Sequence, residues 1–292
     1  MKQTRPLSLD HVVINVHYDM DRAQQIFERL GFNLTARGFH SLGSINHLMT
    51  FDQDYLELVG LPTGATNIRR EILESPIGVD GLVFKTDDAQ QTYRRVKRLG
   101  YALSEVQTFG RPVEIRNKTR QASFKTTRLQ TGQIAAGRVY YCQHLTPDLV
   151  WRKEWQEHAN TAHAIAAMLI VSPTPSSEAK RYAALVNSTV RKGASGEYRV
   201  ACADFELVFV TDDEYRVVYG KHATRATGRS NFFGAIALLA RDLCSVREHV
   251  IDASRKISGL DWRDQGDVIT LSIAQYGVVI DFIQSNLDKP NL

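Results

Sequence analysis

The runs Leu9-Asp10-His11-Val12-Val13-Ile14-Asn15-Val16 and Tyr55-Leu56-Glu57-Leu58-Val59 decide how this chain is read. Both alternate as half-buried strands do, with β-branched and aliphatic residues suited to a pleated surface. Successive side chains of a strand point to opposite sides. His11, Val13 and Asn15 therefore share one face, and Glu57 shares another with Tyr55 and Val59. A histidine and a carboxylate inside such strands carry a desolvation cost. A bound metal ion would offset it, and so would a capped histidine beside a salt-bridged glutamate.

Between these strands, Asp19 or Asp21 caps a predicted helix from Arg22 to Leu30, whose Ala23, Ile26, Phe27 and Leu30 fall at helical spacing. Gly31 supplies the stop. Phe32 to Ala36 and Ile45 to Phe51 read as further strands, giving the order β-α-β-β-β.

The order recurs. A second unit runs from the strand Gly81 to Lys85 through a helix at Ala89 to Leu99, with strands near Ala102 to Val106, Arg120 to Leu129 and Arg138 to His144. A third opens at Ile165 to Val171, with a helix capped at Ser176 and strands near Tyr198 to Ala203 and Phe205 to Thr211. A fourth opens at Phe233 to Ala240, then a helix from Ser245 to Ile257 and strands at Val268 to Ala274 and Val278 to Ile283. Four units at a period of roughly 70 residues form a repeat of pattern rather than of matching letters. The predicted fold class is α+β, with four βαβββ modules in two paired domains. The first spans residues 1–150 and carries the active cup; the second spans 163–292. Residues 151–162, with Trp151 and Trp155, form the joint. Only the residues after Asn286 read as disordered.

The composition is ordinary for a globular chain of 292 residues, with 43% hydrophobic residues and a net charge of +4. That balance, and basic residues with few interleaved aromatics, argue against nucleic acid as a partner. Three widely spaced cysteines suit a reducing compartment. No apolar run reaches membrane-spanning length, and the first residues lack a secretory h-region, so a cytoplasmic protein with no membrane partner is expected. No nucleophile elbow or phosphate loop occurs.

The units resemble the vicinal oxygen chelate superfamily, which includes glyoxalase I, extradiol dioxygenases and fosfomycin-resistance proteins, and within it the glyoxalase-like domain proteins. The resemblance is carried by Leu9 to Val13, by Gly43-Ser44-Ile45-Asn46-His47 leading into Tyr55 to Leu58, and by Cys142-Gln143-His144-Leu145-Thr146-Pro147 with Trp151 and His158-Ala159-Asn160. It covers about residues 8 to 170.

In that superfamily two units pair into a cup, and a divalent metal takes ligands from the first and last strands of each unit. The resemblance implies His11, Glu57 and His144 as ligands, with Glu57 also the catalytic group. Val79-Asp80-Gly81 stands where a ligand histidine is expected, leaving that ligand absent or supplied by Asp80. Two histidines and a carboxylate suit Fe, Mn, Zn or Ni.

His47 is a candidate substrate-binding residue, with a satisfied core histidine as the plainer reading. Arg120, within the basic run Arg111 to Arg128, is a candidate contact to an anionic substrate; a solvated hairpin is the alternative. In the second half the histidines and glutamate of an extradiol dioxygenase are missing, and Asp281 reads as structural. His158 and His163 read as structural too.

The implied function is a metal-dependent lyase, isomerase or dioxygenase chelating a small oxygenated, possibly anionic molecule. The rivals are a non-catalytic small-molecule binding protein of the same fold without metal, and a scaffold with a filled cup. Units of this type also pair between chains, so a homodimer is a further expectation.

Overall fold

A computed structural model describes residues 5–116, 118–225 and 228–285. The expected disorder after Asn286 lies outside the described residues.

The first unit comprises β1 (Leu9–His17), α1 (Met20–Arg29), β2 (Gly38–Phe39), β3 (Ile45–Thr50) and β4 (Tyr55–Gly60). A short helix, α2 (Arg70–Leu73), leads to the second: β5 (Gly78–Lys85), α3 (Ala89–Arg98), β6 (Gln107–Ile115), β7 (Lys118–Arg128) and β8 (Arg138–His144). The joint holds α4 (Lys153–Gln156). The third unit is β9 (Ala162–Val171), α5 (Pro175–Leu185), β10 (Val190–Lys192), β11 (Tyr198–Ala201) and β12 (Glu206–Val210). After α6 (Asp212–Tyr219) come β13 (Phe232–Ala240), α7 (Leu243–Lys256), β14 (Leu260–Asp264), β15 (Val268–Ile273) and β16 (Val278–Gln284).

Local chemistry sets these limits. Asp88 caps α3 by accepting the Gln91 amide at 2.9 Å. Gly31 and Gly100 end α1 and α3 with φ of +84° and +90°, a backbone that favours glycine. Some elements lie elsewhere than the sequence pattern predicts. The second strand lies at Gly38–Phe39 rather than Phe32 to Ala36, and β6 starts at Gln107. The cap of α5 falls to Thr174 with Pro175 at the first helical position, not to Ser176. The helix α6 was missed, although Thr211 and Glu214 form a complete capping box at its start.

Each half is one eight-stranded sheet. The orders are β2-β3-β4-β1-β5-β8-β7-β6 and β10-β11-β12-β9-β13-β16-β15-β14, so the halves share one topology. The central strands β1 and β5 run antiparallel, each parallel to the last strand of its own unit. Each central strand skips a residue at a matching place in the pairing: Asp10 in β1 and Asp80 in β5, then Ala166 in β9 and Gly234 in β13, with a further skip at His163 near the start of β9. These four matching bulges align the units residue by residue.

The helix-bearing faces of both sheets close on one common core. It joins Val12, Ile14 and Leu56 of the first half to Ile165, Met168 and Phe282 of the second. Phe32 bridges the halves, its ring 6.1 Å from that of Phe282. The opposite faces carry separate apolar clusters, one per half, and these are the walls of two cups. Edge strands β2 and β6 approach each other and close the first cup.

The joint is a wedge rather than a loose connection. His158 Nδ1 accepts the Asn33 amide, its Nε2 faces the Thr50 carbonyl, and Asn160 donates to the Leu30 carbonyl.

Candidate active site

The first cup is lined by His11, His40, Asn46, Tyr55, Glu57, Arg69, Phe109, Arg111, Phe124, Arg128, Tyr140 and Cys142, among others. Strand alternation delivers this set: His11 and Val13 from β1, Tyr55 and Glu57 from β4, Tyr140 and Cys142 from β8. The shared faces expected for His11 and Glu57 are therefore one face, that of the cup.

His11 Nε2 stands 3.4 Å from Glu57 Oε2. The far side of the ring, Nδ1, meets Asp10 Oδ1 at 2.6 Å. Tyr55 stacks on the imidazole, with centroids 4.3 Å apart and planes 14° from parallel. Asn46 Nδ2 donates to Glu57 Oε1 at 2.7 Å. His40 Nε2 lies 3.9 Å from the same oxygen, while its Nδ1 is hydrogen-bonded to Ser44 Oγ at 2.8 Å. Two imidazoles, each anchored through Nδ1, thus aim Nε2 at one carboxylate.

Burial opposes charge on every group here. For His11 the hydrogen bonds and charges of Asp10 and Glu57 outweigh it and raise the pKa to about 9. For Glu57 burial is again outweighed, by the hydrogen bond and charge of His11, and the pKa falls to about 2. His40 has burial as its largest influence and drops to about 4, so it is a neutral imidazole near pH 7.

The other expected site residues fall elsewhere. His144 turns Nε2 onto Asp10 Oδ2 at 2.8 Å and packs against Trp151, 4.6 Å between centroids. Among the described residues neither His11, Glu57 and His144 nor His11, His40 and Glu57 bring all three donor atoms within 4.8 Å of one another. Asp10, Cys142 and His144 do. Register explains this. Val13 pairs with Glu57 in the first unit, and Val83 with Tyr140 in the second. The counterparts of His11 and Glu57 are thus Gly81 and Tyr140, and His144 lies four residues beyond the ligand position. Asp80, the other candidate, corresponds to Asp10 and is held by Arg138 and Arg229.

His47 faces away from the cup. It is buried on the helix side, its Nδ1 2.7 Å from the Thr35 carbonyl and its Nε2 accepting from Arg37 at 3.2 Å. Arg120 is exposed at the outer end of the β6–β7 hairpin, eight residues from Arg128. The cup instead receives Arg111 and Arg128 from that hairpin and Arg69 from the connection after β4.

Arg111 is only 4% exposed, yet among the described residues it makes no hydrogen bond or ion pair, and its Nη2 is a buried donor without an acceptor. Burial pulls its pKa below the usual arginine value. Gly38 makes room for Asn46 beside it: a Cβ there would press into the Asn46 amide oxygen, while Arg111 Cδ would be an ordinary contact.

Asp10, His40 and Arg111 were not singled out from the sequence. Asp10 had a signal, an acid inside an aliphatic strand. His40 had none, because its loop carries no period.

The second cup is chemically poorer. Its counterparts of His11, Glu57, Gly81 and Tyr140 are Ala167, Val208, Ala235 and Asp281. Asp281 accepts from Tyr219 Oη and Thr270 Oγ1, both at 2.6 Å. No dioxygenase triad is assembled there among the described residues.

A family model described as a glyoxalase-like domain matches residues 9–186. No curated protein matches. Among solved structures, a hypothetical protein from Staphylococcus aureus superposes with TM-score 0.62 at 10% identity, over 96% of this chain and 100% of that one. A mutant of 4-hydroxymandelate synthase from Streptomyces coelicolor gives 0.57 at 12%, over 97% and 94%. The Mn(II)-bound glyoxalase from Novosphingobium aromaticivorans gives 0.55 at 8%, over 97% and 83%. At such identities the structures speak for the fold alone. With the family model covering more than half its length, and two sheets of paired βαβββ units, the chain belongs to the glyoxalase-like domain family of the vicinal oxygen chelate superfamily.

Proposed function

We propose that the first cup is the active site of a metal-dependent enzyme acting on a small oxygenated substrate. The observation that carries this is the convergence of His11 Nε2 and His40 Nε2 on the two oxygens of Glu57, at 3.4 and 3.9 Å. Two nitrogens and a carboxylate suit a divalent transition metal, and the Mn(II) in the Novosphingobium glyoxalase supports that class of ion. His11, His40 and Glu57 would hold it, the ion displacing the proton that His11 otherwise carries near pH 7, and it would supply Lewis-acid stabilisation of a developing oxyanion.

The chain's own groups do the rest. Asp10 and Ser44 fix the two imidazoles, Asn46 orients Glu57, and Tyr55 walls the cup. Where Glu57 leaves the ion free, its carboxylate is the group able to take a proton from substrate. Both units of the cup come from one chain, so the site needs no second copy. No helix among the described residues is long and apolar enough to cross a membrane.

A second reading, a metal-free binding protein, is favoured by Gly81 and Tyr140 at the counterparts of His11 and Glu57. Elemental analysis of protein purified without chelator separates the two. About one equivalent of a transition metal, lost in His11→Ala, supports the enzyme. Metal-free protein that also fails to take up Mn(II), Fe(II), Zn(II) or Ni(II) overturns it.

A further inference from the structure

We infer that Arg111 is the anchor for a carboxylate, and that the ligand of the first cup is a small organic acid with a flat apolar body. This deepens the reading above by naming the substrate class.

Three arginines line the cup, but their charges are not equally available. Arg69 Nε and Arg128 Nη1 share the Glu71 carboxylate, at 3.0 and 2.6 Å. Arg128 Nη2 also donates to Gln107. Those two are committed to each other's acid. Arg111 has no such acid among the described residues, although it is more deeply buried than either. A buried guanidinium with unused donors costs free energy in the ligand-free protein, and an incoming anion relieves that cost. The planar fork of arginine matches a carboxylate in a bidentate pair.

The surrounding walls define the rest of the ligand. Phe109 and Phe124 stack 5.3 Å apart with planes 27° from parallel, and Leu48, Val83 and Tyr55 complete an apolar surround. These surfaces accept an aryl or branched alkyl body. The His11–His40–Glu57 cluster lies in the same cavity. A ligand held at Arg111 by its carboxylate presents any second oxygen function toward that cluster.

Three probes test this on the full chain, the isosteric pair benzoate and benzamide and the larger phenyl phosphate, each titrated calorimetrically into wild type, Arg111→Gln and Arg111→Lys. Wild type should bind benzoate at least tenfold more tightly than benzamide, since charge-assisted hydrogen bonds are worth roughly 1.5–3 kcal/mol. Arg111→Gln should lose that preference, and Arg111→Lys should retain part of it. Circular dichroism selects folded variants. Should Arg111→Gln not fold, the benzoate-to-benzamide ratio in wild type and Arg111→Lys still decides. Equal binding of benzoate and benzamide by wild type overturns the proposal, as does a preference unchanged in Arg111→Gln. Preferential binding of phenyl phosphate overturns the carboxylate assignment. Repeating the titration with His11→Ala separates this claim from the metal: a preference kept there and lost in Arg111→Gln supports Arg111 whatever the metal analysis returns, and a preference lost in His11→Ala but kept in Arg111→Gln overturns it.

Discussion

Asp10 and His11 are neighbours in one strand, yet their side chains meet at 2.6 Å. Regular alternation would send them to opposite faces, but the bulge at Asp10 returns its carboxylate to the cup side. There it holds His11 through Oδ1 and His144 through Oδ2. One displaced residue thus orients the imidazole that faces Glu57.

Asp10→Asn should keep the fold and weaken metal binding by about 10- to 100-fold, the usual effect of removing a carboxylate behind a ligating histidine. Competition against a fluorescent chelator measures it. Affinity equal to wild type would show that Asp10 does not support the ligand.

His40→Ala and His144→Ala distinguish two ligand sets. Register and distance favour His40, so its removal should strip most of the metal, while His144→Ala should retain it with a smaller loss transmitted through Asp10. Metal content after dialysis gives the answer. The reverse order would restore the set implied by the family resemblance.

Asp54 predicts a pH dependence of stability. Its carboxylate is buried at the contact of the two halves, accepting the Ile165 amide at 3.2 Å, and burial raises its pKa to about 8 despite that hydrogen bond. Between the unfolded value near 3.8 and about 8, the folded chain holds more protons than the unfolded one. This group's contribution is therefore fully favourable below pH 3.8 and is lost as pH rises through 8. Asp54→Asn should flatten the fall in urea midpoint between pH 5 and 8 and exceed wild type at pH 8. A variant with the wild-type slope would refute the assignment.

Phe282→Ala tests the common core. Phe282 is fully buried and faces Phe32 across the two halves, so the cavity should cost about 3–5 kcal/mol. Because that core is shared, both halves should unfold in one transition. Trp262 reports on the second half, Trp151 and Trp155 on the first and the joint. Separate midpoints from these probes would mean that the halves unfold independently.

The repeat itself was legible in the sequence. The 3.6-period helices such as Arg22 to Leu30 are local, their orientation dictated by which face must leave water, whereas β1 and β4, read as half-buried, are buried on both faces because the cup covers the side away from the helices. Alternation grouped His11 with Val13 and Glu57 with Tyr55; that the two faces are one came from the parallel pairing of β1 with β4.

What the sequence could not carry is which strand stands beside which residue. The counterpart of Glu57 is Tyr140 rather than His144 because register is fixed by cross-strand pairing over long separations, and four residues along a strand is about 13 Å. Asp10 reaches the cup only through a bulge, and His40 only because the turn from β2 to β3 brings its Nε2 to Glu57. His47 and Arg120 have site chemistry but not site position, one turned to the helices and the other at the hairpin tip. Arg111 lay in a basic run like its neighbours. The folded sheet singles it out, burying its guanidinium without a hydrogen bond or ion pair among the described residues.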